Sequence, residues 1–108
     1  MAEQDHCRLF GFTGQLDAYS DKQFLDFVIG ALHGAPLPVV IDLSRIDFID
    51  SSGLGVLVQL AKQFQESGLA YQVVGNPRVV QTVKLVRLES FLHLQPDLDT
   101  ALGRLSAA

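Results

Sequence analysis

The stretch from residue 38 to residue 55 reads PVVIDLSRIDFIDSSGLG. Its first part, Pro38–Leu43, is nearly continuous in apolar and β-branched residues and is too short for a helix, which is typical of a strand buried on both faces of a parallel sheet. We expect a loop through Ser44 to Asp50 after this strand, and then a helix from about Ser52 to Ser67. A buried strand that leads into an amphipathic helix predicts an α/β fold.

Strand and helix patterns alternate on both sides of this stretch. Ser20 and Asp21 both suit the N-cap of the first helix, Gly34 suits its end, and Gly14 opens a turn that ends the first strand. The other predicted elements are a strand at Leu9–Gly14, a helix at Ser20–His33, a strand at Leu69–Val74, a helix at Arg78–Leu88, a strand at Phe91–Leu94 and a helix at Asp97–Ser106 that Asp97 caps. This order predicts one α/β domain over residues 1–108, with its core at about 8–105 and a mainly parallel or mixed sheet of four to five strands with about four helices.

Composition excludes several classes of function. The 108 residues are 48% hydrophobic and 19% charged with a net charge of −4, and no basic run is present, which argues against a nucleic-acid partner. No apolar run reaches the roughly 20 residues that span a bilayer, and the first residues lack a secretory signal, so we expect a cytoplasmic protein without membrane insertion. Cys7 is the only cysteine, which excludes an internal disulfide and predicts a small buried hydrophobe at this position.

The junction between the central strand and its helix carries the strongest functional signal. A helix N-terminus exposes unpaired N–H groups and about half a positive charge, so it favours a phosphate group. Asp50, Ser51 and Ser52 all suit an N-cap, but capping explains only one of them. Gly53 and Gly55 weaken a helix by up to about 1 kcal/mol each, a cost that indicates tight packing or the close approach of another group. These residues predict a functional site without specifying its function.

Enzyme motifs do not fit the sequence. The glycines at the junction resemble the start of a dinucleotide fingerprint, but Val58 stands where a third small residue belongs. Neither serine has a glycine two residues before it, as a nucleophile elbow requires. His6, His33 and His93 lack the spacing of metal ligands or of a catalytic triad, and Asp42 lacks the acidic pair and the lysine that a phosphorylated aspartate needs. We therefore predict no enzyme: no catalytic residue, no metal site and no cofactor.

The same stretch strongly resembles the signature of the STAS domain family, and within it the bacterial anti-sigma factor antagonists. The residues that carry the resemblance are 39–44, Ile46 and 48–55, with Gly14-Gln15-Leu16-Asp17 upstream and Gly68-Leu69, Gly75-Asn76, Val83 and Leu85 downstream. The resemblance covers about Leu9 to Leu102. Members usually have an extra strand before the Gly-x-Leu-Asp turn. Because only 13 residues precede Gly14, this implies that the first strand is missing or that the first two strands are very short.

The resemblance implies a mechanism called partner switching. The unphosphorylated protein would bind an anti-sigma factor, a serine kinase of the histidine-kinase-like ATPase fold, and so free a sigma factor; a PP2C-type phosphatase would remove the phosphate. The resemblance implies Ser51 as the phosphorylated residue, with Ser52 as the second choice. It also implies a partner-binding surface that comprises Asp17, Asp50, Ser51, Ser52, Gly53 and Leu54. The alternative within the family is a regulatory or scaffold module of a transporter or lipid-trafficking complex, without a phosphorylation cycle.

Overall fold

A mixed five-stranded sheet organises the part of the chain that the structure describes, residues 2–4, 7–31 and 37–106. The structure is a computed structural model. Its elements are β1 (Ala2–Gln4), β2 (Cys7–Leu16), α1 (Asp21–Ala31), β3 (Val39–Ile49), α2 (Ser51–Glu66), β4 (Tyr71–Val74), α3 (Pro77–Leu85), β5 (Leu94–Gln95) and α4 (Leu98–Ser106). The strands lie in chain order; β1 is antiparallel to β2, and β2 to β5 are parallel. The predicted fold class is confirmed.

The central strand β3 is longer than predicted. It continues to Ile49, so the expected loop from Ser44 to Asp50 is wrong. Ile46 and Ile49 are buried, and residues 45–49 pair with residues 13–16 of β2 through two register shifts. Pairing with a neighbouring strand thus overrides the polar residues that suggested a loop, and the irregular register accommodates them.

The strand β2 also continues beyond its predicted end. It runs to Leu16, whereas the sequence suggested a turn from Gly14 onwards. Gly14 has φ +89°, in the left-handed region that glycine adopts without strain, and the register with β3 shifts between Gly14 and Gln15. This glycine therefore marks an irregularity inside the strand, and the turn begins only at Asp17.

An amino-terminal strand precedes β2. The strand β1 has three residues and pairs with β2 so that Ala2 lies opposite Leu9 and Gln4 lies opposite Cys7. The strand β2 has ten residues. The expectation that the first strand is missing, or that both strands are very short, is wrong because only β1 is short.

Successive side chains of β3 point to opposite faces of the sheet, so the core has one part on each face. Val39 and Ile41 join buried residues of α1, α2 and α3 in the larger cluster, whereas Val40 packs with Cys7 and with Ala101 of α4. Cys7 is 2% exposed, which confirms its interpretation as a small buried hydrophobe. The helices α1, α2 and α3 therefore cover one face of the sheet, and α4 packs on the other.

The remaining boundaries differ from the prediction by a few residues. The strand β4 begins at Tyr71 rather than Leu69, α3 ends at Leu85 rather than Leu88, and β5 covers Leu94–Gln95 rather than Phe91–Leu94. The predicted end of α1 at His33 and its stop at Gly34 lie outside the described residues. Asp97 caps α4 as predicted: its Oδ1 accepts the N–H of Thr100 at 2.7 Å, and hydrogen bonding from Thr100 lowers the pKa of the Asp97 carboxyl.

Candidate functional site

The N-terminus of α2 lies directly after the carboxyl end of β3, the edge at which open α/β sheets meet their ligands. Asp50 is the N-cap of this helix: its backbone is extended, and its Oδ1 accepts the N–H of Gly53 at 3.0 Å. The helix begins at Ser51, one residue earlier than predicted. Because Asp50 supplies the cap, neither serine is needed for that role.

The two serines at this junction differ in accessibility. Ser51 is exposed, whereas Ser52 is half-buried. Within the described residues, neither hydroxyl forms a hydrogen bond. Ser51 occupies the first helical position, near backbone N–H groups that have no partner inside the helix. An enzyme that modifies a hydroxyl can therefore reach Ser51 more readily than Ser52.

The two glycines of the junction serve different purposes. Gly53 is buried, and a Cβ at this position would collide with the carbonyl oxygen of Leu16 and lie 2.9 Å from its Cγ. A Cβ on Gly55 would meet nothing within 4 Å, and this residue is exposed. Close packing against β2 therefore explains Gly53, while Gly55 keeps the surface of the first turn open.

The turn between β2 and α1 is held by its own hydrogen bonds. The Oδ1 atom of Asp17 accepts the N–H groups of Tyr19 at 3.0 Å and of Ser20 at 3.2 Å. The N–H of Asp17 donates to Ser20 Oγ at 3.1 Å, and this hydroxyl donates to the carbonyl of Gln15 at 2.8 Å. The turn is thus ordered before any partner binds, which lowers the entropic cost of an interface there.

Leu16 joins this turn to the start of α2. Its carbonyl oxygen accepts the N–H of Asp50 at 3.3 Å and packs directly beneath Gly53. The turn and the first helical turn therefore form one continuous surface. We call it the entry surface, and it comprises Asp17, Tyr19, Asp50, Ser51, Ser52 and Leu54. Of the six residues that the family resemblance implies for partner binding, five lie on this surface and Gly53 lies beneath it.

Tyr19 is the residue of the entry surface that sequence reasoning missed. Its side chain is 94% exposed, the largest exposure among the large hydrophobic side chains of the described residues. The signal was an aromatic residue in a short turn between Asp17 and Ser20, where no neighbouring element can cover it. Tyrosine is enriched among the few residues that contribute most of the binding energy in protein–protein interfaces.

Two residues at the start of α3 form hydrogen bonds with the same end of β3. Asn76 caps α3 by accepting the N–H of Val79 at 2.8 Å, and its Nδ2 donates to the carbonyl of Ile46 at 2.7 Å. Arg78 donates from Nη1 to the carbonyl of Asp47 at 2.8 Å. These bonds satisfy the backbone of the polar part of β3, and they fix the point from which the chain enters α2.

Asp50→Ala is expected to lower the free energy of unfolding by about 1 kcal/mol, because the N–H of Gly53 loses its acceptor. Urea denaturation followed by circular dichroism measures this change. Asp50→Asn keeps a capping oxygen while it removes the charge, so it should retain most of the stability. Equal urea midpoints for the wild type and Asp50→Ala would show that this cap does not hold the helix start.

The described residues contain no candidate metal centre and no candidate membrane span. No group of three or more His, Cys, Asp or Glu side chains in these ranges could hold a metal ion. No helix in the described part of the chain is long and apolar enough to cross a membrane.

The fold and this site define a small α/β domain that presents two serines at the N-terminus of a helix. The STAS domain model matches residues 1–101, and the chain belongs to the STAS domain family. A Mycobacterium tuberculosis protein named as a candidate anti-anti-sigma factor is 27% identical over 94 residues, which cover 84% of this chain and 64% of that protein. The chain thus spans just under two thirds of the length of this relative.

Two solved structures show the range of proteins that share the fold. An anti-sigma factor antagonist from Mycobacterium paratuberculosis matches with a TM-score of 0.80 and 27% identity, over 97% of this chain and 90% of that chain. The murine anion transporter Slc26a9 matches with a TM-score of 0.84 and 16% identity, over 99% of this chain and 19% of that chain. The transporter match shows the fold alone. The predicted resemblance to STAS proteins of the antagonist type is confirmed.

Proposed function

We propose that this chain is a cytoplasmic anti-sigma factor antagonist that works by partner switching. Unphosphorylated, it binds an anti-sigma factor and so frees a sigma factor; phosphorylation of Ser51 blocks this binding. The observation that carries the proposal is the exposed Ser51 at the start of α2, whose capping role is taken by Asp50. The similarity to two mycobacterial proteins named as antagonists of this kind supports the same role.

A phosphate on Ser51 changes the surface more than it changes the fold. It adds about 1.5 to 2 negative charges near neutral pH. The positive end of the 16-residue helix α2 stabilises such a charge by roughly 0.3–1 kcal/mol at an exposed position. A partner that covers the entry surface must remove water from this dianion beside the Asp50 carboxylate, which is strongly unfavourable. Phosphorylation would therefore release the partner while the domain stays folded.

The proposed partner is an anti-sigma factor that is also a serine kinase of the histidine-kinase-like ATPase fold, and a PP2C-type phosphatase would restore the binding state. The partner would contact Asp17, Asp50, Ser51, Ser52 and Leu54. Gly53 would support this surface from below because it is buried against Leu16. A scaffold role in a transporter or lipid-trafficking complex is not favoured, since the likeness to the transporter has 16% identity and concerns the fold.

Mapping of the phosphate tests this proposal. The protein is purified from its own cells, and the peptide that contains both serines is sequenced by mass spectrometry. We expect phosphate on Ser51, its loss in Ser51→Ala, and its retention in Ser52→Ala. Ser52→Ala is the matched control because it alters the neighbouring hydroxyl of the same turn. Wild-type protein that carries no phosphate under any growth condition, or phosphate that disappears only in Ser52→Ala, would contradict the proposal.

Tyr19→Ala is expected to weaken binding of the ATPase partner by at least about tenfold, or about 1.4 kcal/mol. The reason is that the exposed aromatic ring lies on an ordered turn, where it can insert into a pocket of the partner. Isothermal titration calorimetry with the unphosphorylated protein measures the affinity. Tyr19→Phe should bind nearly as well as the wild type. Leu85→Ala removes a 78% exposed side chain from the end of α3 and serves as the control; an equal loss in both alanine variants would argue against the entry surface.

A further inference from the structure

A cleft lies between α3, α4 and the segment of residues 89–96, which contains β5. None of the residues of the entry surface lines it. It has a volume of about 560 Å³ and is lined by both charged and polar side chains. Its lining includes Lys84 of α3, Arg104 of α4, and Glu89, Ser90 and His93 of the connecting segment. A volume of this size suits a small metabolite, since ligand clefts commonly measure about 300–1,000 Å³.

Two cationic side chains line this cleft, and neither forms an ion pair with Glu89, its one acidic lining residue. Lys84 and Arg104 are 20 positions apart in the chain and come from different helices, yet both line the cleft. Within the described residues, neither side chain forms an ion pair or a hydrogen bond. The chain has 8 cationic side chains against 12 acidic ones. Two unpaired cations at one cleft of an acidic protein therefore mark a local positive potential that suits an anion.

Glu89 provides an unmet acceptor in the same cleft. Its Oε2 atom is buried and accepts no hydrogen bond from any described residue. A buried acceptor without a donor is unfavourable, and more so when the group is charged. The carboxylate pairs with neither cation of the cleft, so the positive and negative groups remain separate. A molecule with an anionic end and a hydrogen-bond donor would satisfy both kinds of group at once.

The wall of the cleft is ordered around His93. Its backbone has φ +53°, in the left-handed region that is rare for residues other than glycine. Its ring stacks on that of Tyr71 at 4.3 Å between centroids, and its Nδ1 lies 2.9 Å from the Tyr71 carbonyl oxygen. Because a carbonyl can only accept, Nδ1 carries the proton. The hydroxyl of Tyr71 donates to the carbonyl of Phe91 at 2.7 Å, which fixes this wall from behind.

We propose that this cleft binds a small organic anion that also carries a hydrogen-bond donor. Lys84 and Arg104 hold its phosphate or carboxylate group, Ser90 adds a hydroxyl, and Glu89 turns to accept the donor. The site is independent of the phosphate on Ser51, since the two surfaces share no lining residue. It would give this domain a second input, a metabolite, beside phosphorylation.

Nuclear magnetic resonance titration of the ¹⁵N-labelled protein tests the proposal with four probes. Phosphoethanolamine and 4-aminobutyrate carry both an anion and an ammonium donor, whereas inorganic phosphate and acetate carry the anion alone. We expect saturable shifts of the amide signals of Glu89, Ser90 and His93 with at least one of the two-ended probes, and affinity at least about tenfold weaker for the matching simple anion. The better two-ended probe identifies phosphate or carboxylate as the preferred group.

Three variants make the test decisive. Lys84→Gln and Arg104→Gln should each weaken binding of the better probe by at least about tenfold. Glu89→Gln should weaken binding of that probe without weakening binding of the simple anion. Lys22→Gln alters an exposed lysine of α1 outside the cleft and should leave the affinity unchanged. The spectra themselves show that each variant is folded. Shifts that do not saturate in the millimolar range, or that persist unchanged in Lys84→Gln and Arg104→Gln, would overturn the proposal.

Discussion

Ser51→Asp should bind the proposed ATPase partner at least about a hundredfold more weakly than the wild type, a loss of about 2.8 kcal/mol. The new carboxylate lies at an exposed position next to Asp50. The carboxylate of Asp50 already caps the first turn of α2, so two negative charges then lie on the same surface. An interface that covers both charges must remove water from both of them, which is strongly unfavourable. Isothermal titration calorimetry with the purified partner measures the change.

The same substitution should leave the fold intact. A negative charge at a helix N-terminus is favourable, so the free energy of unfolding of Ser51→Asp should lie within about 0.5 kcal/mol of the wild type. If Ser51→Asp bound as tightly as the wild type, or lost affinity only because it unfolded, the proposed switch would be wrong.

Gly53→Ala should destabilise the domain by roughly 3 kcal/mol, near the upper range for overpacking of a core position. The added Cβ collides with the carbonyl oxygen of Leu16, which is backbone and cannot rotate away. Moving that backbone would also break the hydrogen bond that the N–H of Asp50 donates to the same oxygen at 3.3 Å. Urea denaturation measures the loss as a lower midpoint at an unchanged slope.

Gly55→Ala is the control for this prediction. Its Cβ would meet nothing within 4 Å, and alanine favours a helix over glycine by up to about 1 kcal/mol. We therefore expect Gly55→Ala to be neutral or slightly stabilising, opposite in sign to Gly53→Ala. A Gly53→Ala protein as stable as the wild type would show that the contact with β2 is not the reason for a glycine at this position.

The order of strands and helices follows from the sequence because apolar periodicity reports which faces are buried. The main errors lie where tertiary contacts decide. The second half of β3 is interrupted by the polar residues Ser44, Arg45 and Asp47, so a local reading predicts a loop. In the folded chain this segment pairs with β2, and Asn76 and Arg78 of α3 bond its carbonyl groups. None of these partners is visible from local spacing.

The candidate site was predictable in position but not in detail. The junction residues indicated a helix N-terminus, yet three of them suited the cap, and only the geometry assigns it to Asp50 and leaves Ser51 exposed. The sequence suggests the same interpretation for Gly53 and Gly55. In the structure Gly53 packs against Leu16, whereas Gly55 faces open space. The cleft with Lys84 and Arg104 could not be predicted, because side chains of α3 and α4 come to line it together only in the folded chain.

In the proposed switch, one phosphate on Ser51 decides whether the entry surface is available to its partner. The most direct test compares two covalent states of the same unmutated chain: the unphosphorylated protein, and protein that carries phosphoserine at position 51 throughout. Both are titrated into the same ATPase partner under the same conditions. We predict affinity at least about a hundredfold weaker for the phosphorylated state, with identical circular dichroism spectra. Equal affinity of the two states would show that phosphorylation of Ser51 does not control partner binding.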